Sequence, residues 1–398
     1  MTRTVGDAAL ERRLRAGEAF FGAEAPRIAR LCHRMAERFA RGGRLIALGR
    51  SPAARSDVRH LAVEFVHPVI VGKRALPAIG LAAEGGPLAH QADLLAEPAD
   101  IVIALGAEDG EPEALAALRR AGERGCLTIG FGAGVGAEWE FPAPDADPFV
   151  RQELVETLYH LLWELVHVFF DHRGLLEGRE ARPVHDTGAS SFLYPFLAER
   201  ETDLESVVAD VRESVLMKAA EVGELRAQTL TDNREALDAA AAALRACFEA
   251  GGKLLALGNG GSATDAMDVV ADFRAAPQGW PARPALDLTE DPAILTALAN
   301  DVGAEVLFQR QIIAYGRPGD AVVALSTSGG SPNIILALEE ARRRGLVTIA
   351  LVGYDGGRVA AEGLADHVIV TRSQHIPRIQ EAQATAYHVL RELVERPG

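Results

Sequence analysis

The chain repeats itself once. Gly42-Gly43-Arg44-Leu45-Ile46-Ala47-Leu48-Gly49 returns as Gly251-Gly252-Lys253-Leu254-Leu255-Ala256-Leu257-Gly258. Ala99-Asp100-Ile101-Val102-Ile103-Ala104-Leu105 returns as Gly319-Asp320-Ala321-Val322-Val323-Ala324-Leu325. Thr157-Leu158-Tyr159-His160 and the apolar run behind it return as Thr385-Ala386-Tyr387-His388. The order is kept and the separation grows along the chain, so the pattern is a two-copy duplication with a shortened first copy, not a solenoid of short periods. Within each copy a helical lead-in (8–40 and 204–249) precedes a short Val/Ile/Leu strand. Helices then alternate with further apolar strands, and a long helix closes the copy. Strands apolar on both faces and separated by helices predict a parallel sheet covered on two sides. The expected fold is therefore α/β: two tandem three-layer α/β/α domains of flavodoxin- or Rossmann-like type. The first domain is expected over 1–172 and the second over 204–398. A linker over 173–203 is read from Gly, Pro, Ser and mixed charge without period.

Two loops of the second copy carry the chemistry. Gly258-Asn259-Gly260-Gly261-Ser262 follows one apolar strand, and Ser326-Thr327-Ser328-Gly329-Gly330-Ser331 follows another. Each passes from a strand into a helical pattern, which aims backbone N–H groups and a helix N-terminus at one point, a seat for a phosphate dianion. The second loop has four hydroxyls and no basic residue. It reads as a cradle for a small phosphorylated metabolite and not as a nucleotide P-loop, which ends in Gly-Lys-Ser/Thr. No nucleotide cofactor is expected.

The bulk composition narrows the partners. A net charge of −15 disfavours nucleic acid and anionic membrane, which need a basic face. Cys32, Cys126 and Cys247 have no close spacing, so neither a disulfide framework nor a zinc knuckle is expected, and a cytoplasmic location is the simple reading. The charged helical start does not read as a signal peptide, and the run from Leu158 to Phe170 is too short to span a bilayer.

At these motifs the sequence resembles the sugar isomerase (SIS) domain superfamily, and the second copy is similar to the phosphoheptose isomerases. The resemblance rests on Gly258 to Ser262 followed by Asp265-Ala266, on Ala299-Asn300-Asp301, on Ser326 to Ser331, and on Arg378-Ile379-Gln380-Glu381. It implies a reaction between ketose and aldose phosphates by proton transfer between C1 and C2, with sedoheptulose 7-phosphate or a similar ketose phosphate as substrate. It also implies phosphate or substrate contacts from Asn259, Gly260, Gly261, Ser262, Asn300, Asp301, Ser326, Thr327, Ser328 and Ser331. In the family a His-x-x-x-Glu pair on the helix after the first loop works with a Gln and a His eight residues apart on the last helix. Some members bind zinc or another divalent metal through these four.

The two copies depart from that pattern in opposite ways. The second keeps Gln380 and His388 but has Asp268 and Asp272 where the family has His and Glu. Asp272 is then expected as general base, His388 as its acid partner and Gln380 as an orienting group. The first copy keeps His60, Glu64, Gln152 and His160 but has lost both loops. They read Gly49-Arg50-Ser51-Pro52 and Gly106-Ala107-Glu108-Asp109-Gly110-Glu111, and the acids repel a phosphate. The expected metal set is thus either His60, Glu64, Gln152 and His160 or Asp268, Asp272, Gln380 and His388. Family enzymes place active sites at subunit interfaces. The resemblance therefore also implies a homodimer that forms a pseudo-tetramer of SIS domains, and a composite site in which His60 or Glu64 reaches a sugar held by Ser262 and Ser326 to Ser331. A second functional reading stays open: a regulatory or assembly protein that binds a sugar phosphate without converting it.

Overall fold

In a computed structural model of the chain, residues 4–69, 73–82, 85–171 and 203–396 are described. The linker expected over 173–203 lies, save for its last residue, outside them. Two compact units form: Ala16–Ala220, called the first unit, and Met1–Arg15 with Glu221–Gly398, called the second.

The first unit contains most of α1 (Val5–Ala40), then β1 (Leu45–Leu48), α2 (Pro52–Val66), β2 (Ala78–Leu81), α3 (Leu88–Leu95), β3 (Ile101–Ala104), α4 (Pro112–Glu123), β4 (Leu127–Gly130), β5 (Trp139–Glu140) and α5 (Pro148–Asp171). The start of α6 (Leu204–Asp232) belongs to it as well. The second unit takes the first turns of α1 and the end of α6. It continues with α7 (Arg234–Glu249), β6 (Leu254–Leu257), α8 (Gly261–Arg274), β7 (Ala285–Asp287), α9 (Pro292–Asp301), α10 (Leu307–Tyr315), β8 (Ala321–Ser326), α11 (Pro332–Arg343), β9 (Val347–Gly353), α12 (Gly357–Ala361), β10 (His367–Thr371) and α13 (Ile376–Glu395).

Both sheets are parallel throughout and have one topology. The orders are β2-β1-β3-β4-β5 and, read in the same sense, β7-β6-β8-β9-β10. The register repeats too: Leu45 to Leu48 pair with Ile101 to Ala104, and Leu254 to Leu257 with Ala321 to Ala324. Period-two alternation sends successive strand residues to opposite faces. Leu254 and Ala256 join the core beneath α7, α8 and α13, while Leu255 and Leu257 join the core beneath α10 and α11. Leu45 and Ala47 divide from Ile46 and Leu48 in the same way. This is the expected three-layer α/β/α arrangement in each unit.

The lead-in helices serve two cores. Ala9 packs in the second unit, with Val5 and Leu10 against the same cluster, while Phe20 to Phe39 pack in the first. Val207, Val208, Val211 and Val215 of α6 pack in the first unit, and Leu230 packs in the second. Ion pairs follow the same division. Buried Arg13 reaches Glu392 at 3.0 Å in the second unit, and Arg30 reaches Glu205 at 2.9 Å in the first. Cys32, Cys126 and Cys247 are buried free thiols. No described helix is long and apolar enough to cross a membrane.

Candidate active site

In a 2-1-3-4-5 sheet the strand order reverses between the first and third strands, and the crevice outside their carboxyl ends is the place where such folds bind ligands. In the second unit those strands are β6 and β8, and the loops that leave them are the two glycine loops. The architecture thus brings Gly258 to Ser262 beside Ser326 to Ser331.

Local geometry shapes both loops. A Cβ on Gly258 would stand 2.0 Å from the carbonyl oxygen of Ser262, so only glycine lets the first turn of α8 fold back over the strand end. Gly260 caps α8 with φ of 57°. Ser262 is buried in that first turn. In the second loop the Gly329 N–H donates to Ser326 Oγ at 3.1 Å and the Gly330 N–H to Ser328 Oγ at 3.3 Å. Ser331 caps α11, with Pro332 preset at its first position. Ser326 is buried, Thr327 and Ser331 are half-buried, and Ser328 is exposed. Asn259 and Asn333 clamp the two loops together: each side-chain amide donates to the other's oxygen, at 2.9 and 2.8 Å. Asn333 was not among the residues read from the sequence. Its only signal there is an amide two residues past the serine loop. Asn300 and Asp301 sit exposed at the end of α9 and hydrogen-bond to each other at 2.6 Å.

Further along α8, Asp268 and Asp272 present one face, as an i, i+4 pair must. His388 on α13 meets both. Its Nε2 lies 3.4 Å from Asp268 Oδ2 and 3.5 Å from Asp272 Oδ2, and all three side chains are buried. Their donor atoms lie within 4.8 Å of one another. Tyr387, a residue outside the sequence reading, donates its hydroxyl to Asp268 Oδ2 at 2.8 Å. Arg391, one turn beyond, donates Nε–H to the carbonyl of Asp272 at 3.1 Å and fixes that end of α8. Gln380 is buried two turns before His388 on the same helix. In the same segment Arg378 pairs with Glu381 as a buried ion pair at 2.5 Å.

The first unit has the counterpart cluster. His60 Nε2 of α2 lies 3.3 Å from His160 Nε2 of α5 and 3.9 Å from Glu64 Oε1. Glu156, one turn before His160, brings a carboxylate within 4.8 Å of both imidazoles. Gln152 is half-buried a further turn away. Burial, and next the neighbouring His160, push the His60 pKa well below its ordinary value, so the ring is neutral.

The first unit's loops are sealed by its own acids. Ser51 spends its hydroxyl capping α2 at Ala54 N. Glu111 caps α4 at the position that Ser331 holds on α11. Its pKa is raised, chiefly by burial and against the pull of the Arg50 and Ser51 backbone N–H groups, and its carboxylate stands with the Ser51 hydroxyl against Gly106. Arg50 pairs with Glu113, and Arg151 with Asp109 at 2.6 Å. The side chain of Glu108 lies outside the described part.

Residues 219–353 match the SIS domain family. A phosphoheptose isomerase of Chlorobium phaeobacteroides is 43% identical over 196 residues, which cover 48% of this chain and 83% of that protein. One from Geobacter sp. strain M21 is 41% identical over 197 residues, covering 48% of this chain and 96% of the relative. Among solved structures, the C-terminal domain of glucosamine-fructose-6-phosphate aminotransferase from Francisella tularensis superposes with a TM-score of 0.60. It covers 97% of this chain and 93% of that one, at 10% identity. That likeness concerns the fold of both units, whereas the identity to the first two resides in half of the chain. The chain therefore belongs to the SIS family as a tandem pair of SIS domains, one half of which is kin to the phosphoheptose isomerases.

Proposed function

We propose that the protein is a sugar-phosphate aldose–ketose isomerase, with sedoheptulose 7-phosphate or a similar ketose phosphate as substrate, and that the chemistry belongs to the second unit. The observation that carries this reading is the geometry of α8. The helix starts in the phosphate-type loop and bears Asp268 and Asp272 two to three turns further on. At 1.5 Å per residue the first aspartate is about 10 Å along the axis from Gly261. In an extended ketose 7-phosphate, five carbon–carbon bonds and the phosphoester separate the phosphate from C2, which is a comparable length. A phosphate seated on Ser262 and Ser326 to Ser331 would thus bring C1 and C2 to the level of Asp268 and His388, with Asp272 one turn further along α8 on the other side of the imidazole.

Asp272 takes the proton from C1 and returns it at C2, and His388 exchanges the proton of the carbonyl and hydroxyl oxygens. A carboxylate and an imidazole, both buried, are competent for this pair of transfers. Tyr387 holds Asp268 beside the imidazole, and Gln380 orients the sugar. Asp268, Asp272 and His388 also suit a divalent metal. Nitrogen and oxygen ligands about 2.0–2.1 Å from a tetrahedral ion stand roughly 3.3–3.4 Å apart, and the two His388 separations are 3.4 and 3.5 Å. When bound there, such an ion polarises the substrate carbonyl. The sequence identity to enzymes named phosphoheptose isomerase supports the substrate class.

The test is isomerisation of sedoheptulose 7-phosphate in deuterated water, followed by NMR. Aldose formation with solvent deuterium at C2, lost in Asp272→Asn, is expected. Tight binding of the sugar phosphate with neither aldose nor deuterium would overturn the enzymatic reading in favour of a binding protein.

A further inference from the structure

We propose that the second unit holds a site for an aliphatic monocarboxylate, in a cavity of about 320 Å³ lined by the start of α1, the end of α6, α7 and α13. That volume lies at the lower end of the range of small-molecule sites. The whole lining belongs to the second unit, and no residue of the candidate active site takes part in it. The walls are apolar. Leu237 and Ala241 of α7 and Val389 and Leu393 of α13 are buried, and Val5 and Leu10 of α1 stand half-buried against the same cluster.

The charges around the cavity are unevenly matched. Arg234, Asp238, Ala241 and Arg245 fall on one stripe of α7, as residues three and four apart must. At the first end of the stripe Arg234 pairs with Asp7 and donates to Thr4 Oγ1 at 2.8 Å, and Asp238 adds a second negative charge near it. Arg245 lies about 16 Å further along the helix axis, at 1.5 Å per residue. It is half-buried and gives one hydrogen bond, from Nη1 to the Leu393 carbonyl at 2.5 Å. No carboxylate among the described residues pairs with it. A guanidinium takes a carboxylate through paired N–H donors, and the walls of Leu237, Ala241, Val389 and Leu393 receive the aliphatic tail that leaves water. The acids at the Arg234 end repel a second anionic group, so the ligand is a monoanion with its head at Arg245. An occupant ties the start of α1 to α7 and α13, and its binding adds to the stability of the unit.

The site is independent of the isomerase reading, so the test reads binding and melting and leaves turnover aside. Calorimetric titration of the full chain with octanoate should show one equivalent bound, and octanoate should raise the melting temperature. Acetate has the head without the tail, and 1-octanol has the tail without the charge. Each should bind weaker by roughly tenfold or more. Arg245→Gln should weaken octanoate roughly 10- to 100-fold, the loss expected when hydrogen bonds between charged partners go. Arg245→Lys, which lacks the planar fork, serves in its place if Arg245→Gln does not fold. Ala241→Leu carries a longer side chain into the cavity and should abolish binding. If it does not fold, Thr231→Trp blocks the same cavity from its exposed rim. The proposal is overturned if octanoate does not bind the folded chain, if 1-octanol binds as tightly as octanoate, or if either the folded Arg245 variant or the folded cavity-filling variant keeps the native affinity.

Discussion

Replacing Gly258 by Ala tests whether the two glycine loops form the anion seat. The added Cβ would stand 2.0 Å from the Ser262 carbonyl oxygen and 2.4 Å from its carbon, where real Cβ atoms keep about 3.0 Å. The obstacle is backbone at the start of α8, so it has no rotamer into which to retreat. The first turn must move outward by about 1 Å, and with it Ser262 and the N–H groups that would face the phosphate. Misplacement of that size costs on the order of 10²-fold where geometry decides the interaction, or about 2.7 kcal/mol of affinity. Calorimetric titration with sedoheptulose 7-phosphate reads it directly, and a thermal melt reports whether the fold survives. Gly260→Ala is the control. A Cβ there meets open space, so only the backbone conformation, φ 57° and ψ −124°, is penalised, at about 1–3 kcal/mol of fold stability. Gly258→Ala should therefore lose far more affinity than Gly260→Ala. Equal affinities in the two variants, or undiminished binding by Gly258→Ala, would refute the assigned seat.

Three further outcomes follow from particular contacts. Tyr387→Phe removes the hydroxyl that donates to Asp268 at 2.8 Å; a hydrogen bond to a charged partner is worth roughly 1.5–3 kcal/mol. Urea melts should show a loss of that order, and the pH–rate profile of the proposed isomerase should move. Glu111→Ser gives the first unit the residue that the second has at the matching cap. If the Glu111 carboxylate is what seals that loop, titration with inorganic phosphate should detect a weak additional site absent from the native chain. Burial holds His167 neutral, with its pKa lowered to about 4. The unfolded chain protonates near 6.5, so it binds more protons than the folded one between those values. Stability is full above about pH 6.5 and falls as the pH drops toward 4, by about 3 kcal/mol from this residue alone. Urea midpoints at pH 7 and 4.5 measure the slope, which His167→Phe should flatten.

The duplication, the alternation of strand and helix, and the two glycine loops are local or periodic properties, and all are legible in the sequence. Apolar runs such as Leu254 to Leu257, short and bounded by Gly251-Gly252 and Gly258, read as strands buried on both faces, so the layered parallel architecture follows. The matching topology of the two sheets follows from the repeat. Asp268 and Asp272 share a helix face by spacing alone, and so do His60 and Glu64. Other features needed the tertiary structure. Asn333 clamps Asn259 because β6 and β8 are neighbours in the sheet. Tyr387 reaches Asp268 because α13 crosses α8 at that level, and Glu156 joins His60 and His160 because of how α5 crosses α2. Glu111 reads as one of several acids in a loop until its carboxylate is seen beside Ser51 and Gly106 of the neighbouring loops. The lead-in helices show the limit most plainly. The period of α1 and α6 says that one face of each is buried along its whole length. It cannot say that residues 5–15 pack in one unit and 16–40 in the other, because amphipathicity records that apolar surface must leave water, not which core receives it.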